Sequence, residues 1–132
     1  MNYLLDTHTL LWVLFSDEKI STLVRRVLLD SGTEVLVSTI SIWEISLKYT
    51  TGKLKLEERT PDELPNAVEN LGFSFLNLDS NMASTFYKLP RLKHRDPFDR
   101  MLAWQAINEN FTLISKDKGF DDYKSQGLKR IW

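Results

Sequence analysis

The chain has no cysteine. Disulfides, Cys-ligated zinc and iron–sulfur clusters are therefore excluded. Only two histidines occur, His8 and His94, so a His-rich zinc site is excluded too. Long apolar runs are also missing. The longest early stretch, Leu10 to Phe15, falls far short of the roughly 20 residues a membrane-spanning helix needs. No basic segment leads into a secretory apolar region. The expectation is a cytoplasmic protein with no membrane association. A net charge of −1 gives no global basic field of the kind that marks many nucleic-acid binders. Repeats, low-complexity tracts and interdomain linkers are absent, and the length of 132 residues suits one domain spanning residues 1–132.

What is present is an alternation of short apolar runs and helical patterns. Tyr3–Asp6 reads as a first strand, followed by a helix from His8 to Phe15. A second helix runs from about Ser21 to Asp30, with Leu23, Val24, Val27 and Leu28 on one face and Gly32 as its stop. Val35–Val37 is a β-branched buried strand, and Ser38 to Ser41 offer caps for a helix reaching about Tyr49. Thr60, Pro61 and Glu63 form a capping-box start for a helix to about Leu71. Phe73–Leu78 is a third strand. Asp79 caps a helix from Ser80 to Lys88, and Asp96-Pro97 opens one to Glu109. Phe111–Ser115 is a fourth strand, residues 118–126 are a short helix or turn, and Lys129–Trp132 is an edge strand. Short buried strands between helices predict an α/β fold: a parallel sheet in three layers, with helices on both faces.

In such a sheet, functional residues gather beyond the carboxyl ends of the strands. Four acids fall at places of this kind: Asp6, Glu44, Asp99 and Asp117, with Asp96 as an accessory candidate. Each has an ordinary alternative. Asp6 can cap the helix behind it, although Thr7 is available for that and would leave Asp6 free. Glu44 can pair with Lys48 at i,i+4, but it interrupts a largely apolar helix. Asp96 suits the N-cap, which releases Asp99 from that duty. Asp117 sits where turns favour Asp for local reasons, and Ser115 beside it can orient a carboxylate. Carboxylates brought together repel one another unless a cation lies between them. With no soft ligands in the set, the ion expected is Mg²⁺ or Mn²⁺. Lys88 to Arg100 carries five basic residues against two acidic ones. Arg91, Lys93, Arg95 and Arg100 are its candidates for phosphate contacts, set against an ordinary solvated loop.

Four motifs carry a family resemblance: Tyr3-Leu4-Leu5-Asp6-Thr7-His8, Ser41-Ile42-Trp43-Glu44-Ile45, His94-Arg95-Asp96-Pro97-Phe98-Asp99-Arg100-Met101-Leu102-Ala103 and Leu113-Ile114-Ser115-Lys116-Asp117. In order and spacing they resemble the PIN-domain ribonucleases, in particular the VapC-type toxins of toxin–antitoxin pairs. The resemblance implies a metal-dependent endoribonuclease that cleaves RNA phosphodiester bonds with metal-activated water. Asp6 and Asp99 would be the principal ligands, Glu44 and Asp117 the rest of the acidic quartet. It also implies an antitoxin partner and a homodimer, for which Trp12, Phe15, Phe86 and Tyr87 are candidate contacts. A housekeeping RNA-processing nuclease would share the chemistry. A receiver-like phosphoacceptor domain is a third reading, since it too uses carboxylates and Mg²⁺ on a parallel sheet.

Overall fold

The inner strands are apolar on both faces, as suits a sheet with helices on each side. In the computed structural model, which describes residues 1–132, β1 (Asn2–Leu5) lies at the centre of the sheet. Around it are β2 (Glu34–Ser38), β3 (Ser74–Leu76), β4 (Thr112–Ile114) and β5 (Lys129–Ile131), in the order β3-β2-β1-β4-β5, every pair parallel. Alternation along each strand sorts side chains between two cores. Tyr3, Leu5, Val35, Val37 and Ile114 face one core, Leu4, Leu36 and Leu113 the other.

The first core is covered by α1 (Thr7–Phe15), α2 (Thr22–Leu29) and α4 (Leu64–Asn70), through Leu10, Val24, Leu64 and Val68. The second is covered by α6 (Pro97–Glu109) through Leu102, Ala103 and Ala106, with Leu89, Phe120 and Tyr123 beside them. The helix α3 (Thr39–Thr50) contributes Ile45 to the first and Ile40 to the second. Expected caps form as local chemistry dictates: Asp79 for α5 (Ser80–Thr85), Asp96 for α6, and the Thr60–Glu63 box ahead of α4.

Several boundaries differ from the sequence reading. The third strand has only three residues, those that pair with Leu36, Val37 and Ser38 of β2. The helix expected from Ser80 to Lys88 tightens at Phe86 into a 3₁₀ turn, Phe86–Lys88. Residues Lys118–Gln126 are 3₁₀. Helix α2 stops at Leu29 with Asp30 as its C-cap, so Gly32 lies beyond the stop expected of it. A receiver-like fold has the order 2-1-3-4-5. The observed order contradicts that reading.

Register places the site. Leu5 lies level with Val37 and Ile114. The next residues, Asp6, Ser38 and Ser115, therefore leave three neighbouring strands in one row at the carboxyl edge. No helix is long and apolar enough to cross a membrane.

Candidate functional site

Asp6 follows the last residue of β1 and is 4% exposed. Its backbone N–H donates to the Ile114 carbonyl at 3.1 Å, a final rung that ties it to β4. Its Oδ1 accepts from the Thr9 N–H at 2.8 Å and caps α1. Its Oδ2 accepts from the Ser115 hydroxyl at 2.6 Å. The capping duty offered to Thr7 thus belongs to Asp6 itself. Thr7 turns its hydroxyl toward α3 instead, 3.0 Å from the Ser41 hydroxyl and donating at 2.7 Å to Glu44 Oε1.

Glu44 is 3% exposed. Its Oε2 accepts from Lys48, the i,i+4 partner expected from the sequence. The Lys48 pKa is raised, first by this hydrogen bond and further by the charges of Glu44, Asp96 and Asp99, against a lowering by burial. Asp96 and Asp99 sit at the start of α6, so Lys48 feels both α3 and α6 carboxylates. The elements converge here.

Asp96 caps α6. Its Oδ1 accepts from the N–H groups of Phe98 at 2.8 Å and Asp99 at 3.2 Å. Asp99 is therefore released from capping, as the Pro97 start predicts. Burial pushes the Asp99 carboxyl up to about 6, opposed by its hydrogen bond to His94 and helped by the charges of Asp96 and Glu44.

His94 is the residue that sequence reasoning missed. Its Nε2 lies 3.0 Å from Asp99 Oδ2 and 3.8 Å from Asp117 Oδ2. Its ring is tilted 30° against Phe120, with centroids 4.7 Å apart, and Tyr123 lies beyond at 6.3 Å. Gly119 closes the back of this pocket. A Cβ there would come 2.9 Å from Asp117 Oδ1 and 3.3 Å from His94 Nδ1, so the imidazole needs a glycine at that point. Asp117 caps the 3₁₀ segment by accepting from the Gly119 N–H at 2.8 Å, and its own N–H donates to the Ser115 hydroxyl at 3.0 Å.

The quartet is thus joined in a line rather than a ring. Asp99 meets His94, His94 faces Asp117, Asp117 and Asp6 share Ser115, and Thr7 next to Asp6 holds Glu44. The tightest group is His94, Asp99 and Asp117, whose potential ligand atoms all lie within 4.8 Å of one another. Ligands about 2.1 Å from one octahedral ion are separated by roughly 3 to 4 Å. The 3.0 and 3.8 Å spacings fit that geometry. The raised Asp99 pKa fits as well, since a cation would restore the ionised form.

The basic residues separate. Arg91, Lys93 and Arg95 are exposed. Arg100 is held inward, with Nη2 donating to the Leu89 carbonyl at 3.2 Å and the guanidinium 4.8 Å from the Phe86 ring centroid. Among the suggested apolar contacts, Tyr87 is 79% exposed, while Trp12, Phe15 and Phe86 are half-buried against the cores. A cleft of about 310 Å³ opens beside the acids, lined by Asp6, His8, Trp12, Lys116 and Asp117. A larger one, about 830 Å³, lies away from them between α1 and α4 and gathers no such ligand set.

Comparison with known proteins agrees with this fold. Ribonuclease VapC22 of Mycobacterium tuberculosis is 22% identical over 129 residues, covering 98% of this chain and 97% of that protein. A crystal structure of VapBC2 from Rickettsia felis, bound to a DNA fragment from its promoter, contains a chain that superposes with a TM-score of 0.69 at 18% identity. That match covers 99% of this chain and 98% of the other. A chain of VapBC-1 from nontypeable Haemophilus influenzae superposes with a TM-score of 0.65 at 19% identity, covering 99% and 97%. The family model for the PIN domain matches residues 3–125, nearly the whole chain, and the protein belongs to the PIN-domain family.

Proposed function

We propose that this protein is a divalent-metal-dependent endoribonuclease and the toxin of a toxin–antitoxin pair. The observation that carries the reading is the line of acids, linked through Ser115 and His94, at the carboxyl edge of a PIN-family sheet. Its wider terms are a single domain over residues 1–132, a cytoplasmic location, a homodimer and an antitoxin that covers the acidic crevice. Relatives named as VapC and VapBC support the toxin assignment.

Asp6, Glu44, Asp99 and Asp117 are the acids assigned to hold Mg²⁺ or Mn²⁺, with Asp96 accessory and His94 added from the geometry. When bound, such an ion ionises water at neutral pH and offsets charge on the phosphate and the leaving oxygen. The chain's own residues set the conditions. Ser115 and the first turn of α1 hold Asp6 in one orientation before any ligand arrives. Thr7 and Lys48 fix Glu44, leaving no free rotation for it to lose. The imidazole of His94 keeps Asp99 and Asp117 aimed at each other.

No Ser, Cys or His nucleophile is required. Ser115 is buried and donates to Asp6, which leaves it unsuited to attack phosphorus. Direct attack by water, with the 3′ oxygen as leaving group, leaves a 5′-phosphate and a 3′-hydroxyl without using the 2′-hydroxyl. The preference for RNA then comes from binding contacts, for which exposed Arg91, Lys93 and Arg95 are candidates. Arg100, held inward, is the weakest of the original four.

The test is cleavage of a structured RNA with Mg²⁺ or Mn²⁺, mapped by its new 5′ ends. Asp6→Asn and Asp99→Asn each abolish cleavage. Unchanged cleavage in EDTA overturns the metal assignment. Growth arrest on expression of this chain alone tests the toxin assignment, and its absence favours a housekeeping nuclease.

A further inference from the structure

The cleft beside the acids has a second wall with no evident role in holding a cation. On that wall stands Trp12 of α1, half-buried. Its ring meets the Trp132 ring at 5.6 Å and 63°, and the exposed His8 ring at 6.1 Å. The ammonium groups of Lys19 and Lys116 lie 5.9 and 6.0 Å from its centroid. Lys116 also lines a neighbouring cleft of about 520 Å³ that adds Lys118, Arg130 and Trp132. Arg130 is engaged by Asp121 and the Ser115 carbonyl, whereas Lys116 and Lys118 make no ion pair. Core packing accounts for an indole at this position. It does not account for two ammonium groups around that indole, or for a cleft it shares with Asp6 and Asp117.

An aromatic face with free cations along its edge is how proteins hold single-stranded nucleic acid. The base lies on the ring, and the backbone follows the positive charge. A purely apolar peptide gains nothing from the lysines, and an acidic one without aromatic side chains gains nothing from the indole. We propose that Trp12, with His8 beside it, Lys116 at its ring and Lys118 in the adjoining cleft, forms a nucleobase-stacking subsite. It holds one unpaired nucleotide next to the cleaved phosphodiester. The proposal rests on the ribonuclease reading and deepens it by naming the side chains that receive the nucleotide beside the cut.

The test uses a short single-stranded oligoribonucleotide that the wild-type chain cleaves at a mapped bond. The full chain carrying Asp99→Asn binds the same oligomer without cutting it, and affinity is read by fluorescence anisotropy in Mg²⁺. An abasic residue is then walked through the oligomer. One position next to the cleaved bond is expected to cost roughly 5- to 150-fold in affinity, and the others little. Trp12→Leu in the Asp99→Asn background removes that position dependence, and Trp12→Phe retains most of it. Lys116→Ala and Lys118→Ala weaken intact and abasic oligomers alike and flatten the salt dependence.

Thermal melting checks that each variant is folded, and the abasic walk in the parent needs no change at Trp12. Equal cost at every position, no binding by the parent, or unchanged affinity in folded Trp12→Leu overturns the subsite. Loss of antitoxin binding in Trp12→Leu with oligomer affinity intact overturns it too, and marks a protein-docking face. If the wild type cleaves no RNA at all, the ribonuclease reading fails instead, and the abasic walk along an uncleaved oligomer tests the subsite by whether one position depends on Trp12.

Discussion

Asp6 and Glu44 lie deep and are fully engaged by donors from the chain: Thr9, Ser115, Thr7 and Lys48. Asp99 and Asp117 lie nearer the surface, and one imidazole stands between them. The first pair is positioned by the fold and stabilises it. The second is held at a cost, visible in the raised Asp99 pKa. Carboxylates of one kind thus divide into a rigid foundation and a mouth that favours positive charge.

The contrast breaks most sharply through activity. Asp6→Asn and Asp99→Asn are each expected to lose at least about 100-fold in cleavage rate, the scale of removing one electrostatic group from a reaction centre. Stability should then separate the two regions. Asp6→Ala removes an N-cap and leaves the buried Ser115 O–H without its acceptor, a loss of roughly 2–4 kcal/mol. Asp99→Asn moves the other way. The Asp99 carboxyl titrates near 6 in the fold and near 3.8 in the unfolded chain. Between those values the folded state binds more protons, so stability falls as pH rises from about 4 to 6. At neutral pH without metal the penalty is on the order of 3 kcal/mol. Asp99→Asn should recover up to that amount at pH 7 and nothing below pH 4, as urea titrations in EDTA would show.

Smaller effects sharpen the comparison. Ser115→Ala removes the hydroxyl shared by Asp6 and Asp117, and should weaken divalent-ion binding roughly 10- to 100-fold, the usual effect of losing a group that orients a ligand. Asp121→Ala removes an exposed partner of Arg130, which keeps its bond to the Ser115 carbonyl. It should change stability by less than about 1 kcal/mol and less still in high salt.

What the sequence made legible follows from the range of the interactions involved. Asp79, Asp96 and the Thr60–Glu63 box were readable because each cap bonds within three residues of itself. The parallel sheet was readable because runs such as Val35–Val37 are apolar on both faces. The exchange of roles between Asp6 and Thr7 was not, since Thr7 finds its partners at Ser41 and Glu44. His94 was still less visible. Its place depends on Phe120, Tyr123 and the absence of a side chain at Gly119, all delivered by a distant segment. Its one local clue is a position five residues before Asp99, which no periodicity marks as special.

The central claim is that these two regions together hold a divalent ion. Titration of the full chain with Mn²⁺, with the free ion followed by electron paramagnetic resonance, tests it most directly. Saturable binding by the wild type, lost in Asp99→Asn while the variant stays folded, is the predicted result. Equal uptake by both proteins, or none by the wild type, would contradict it.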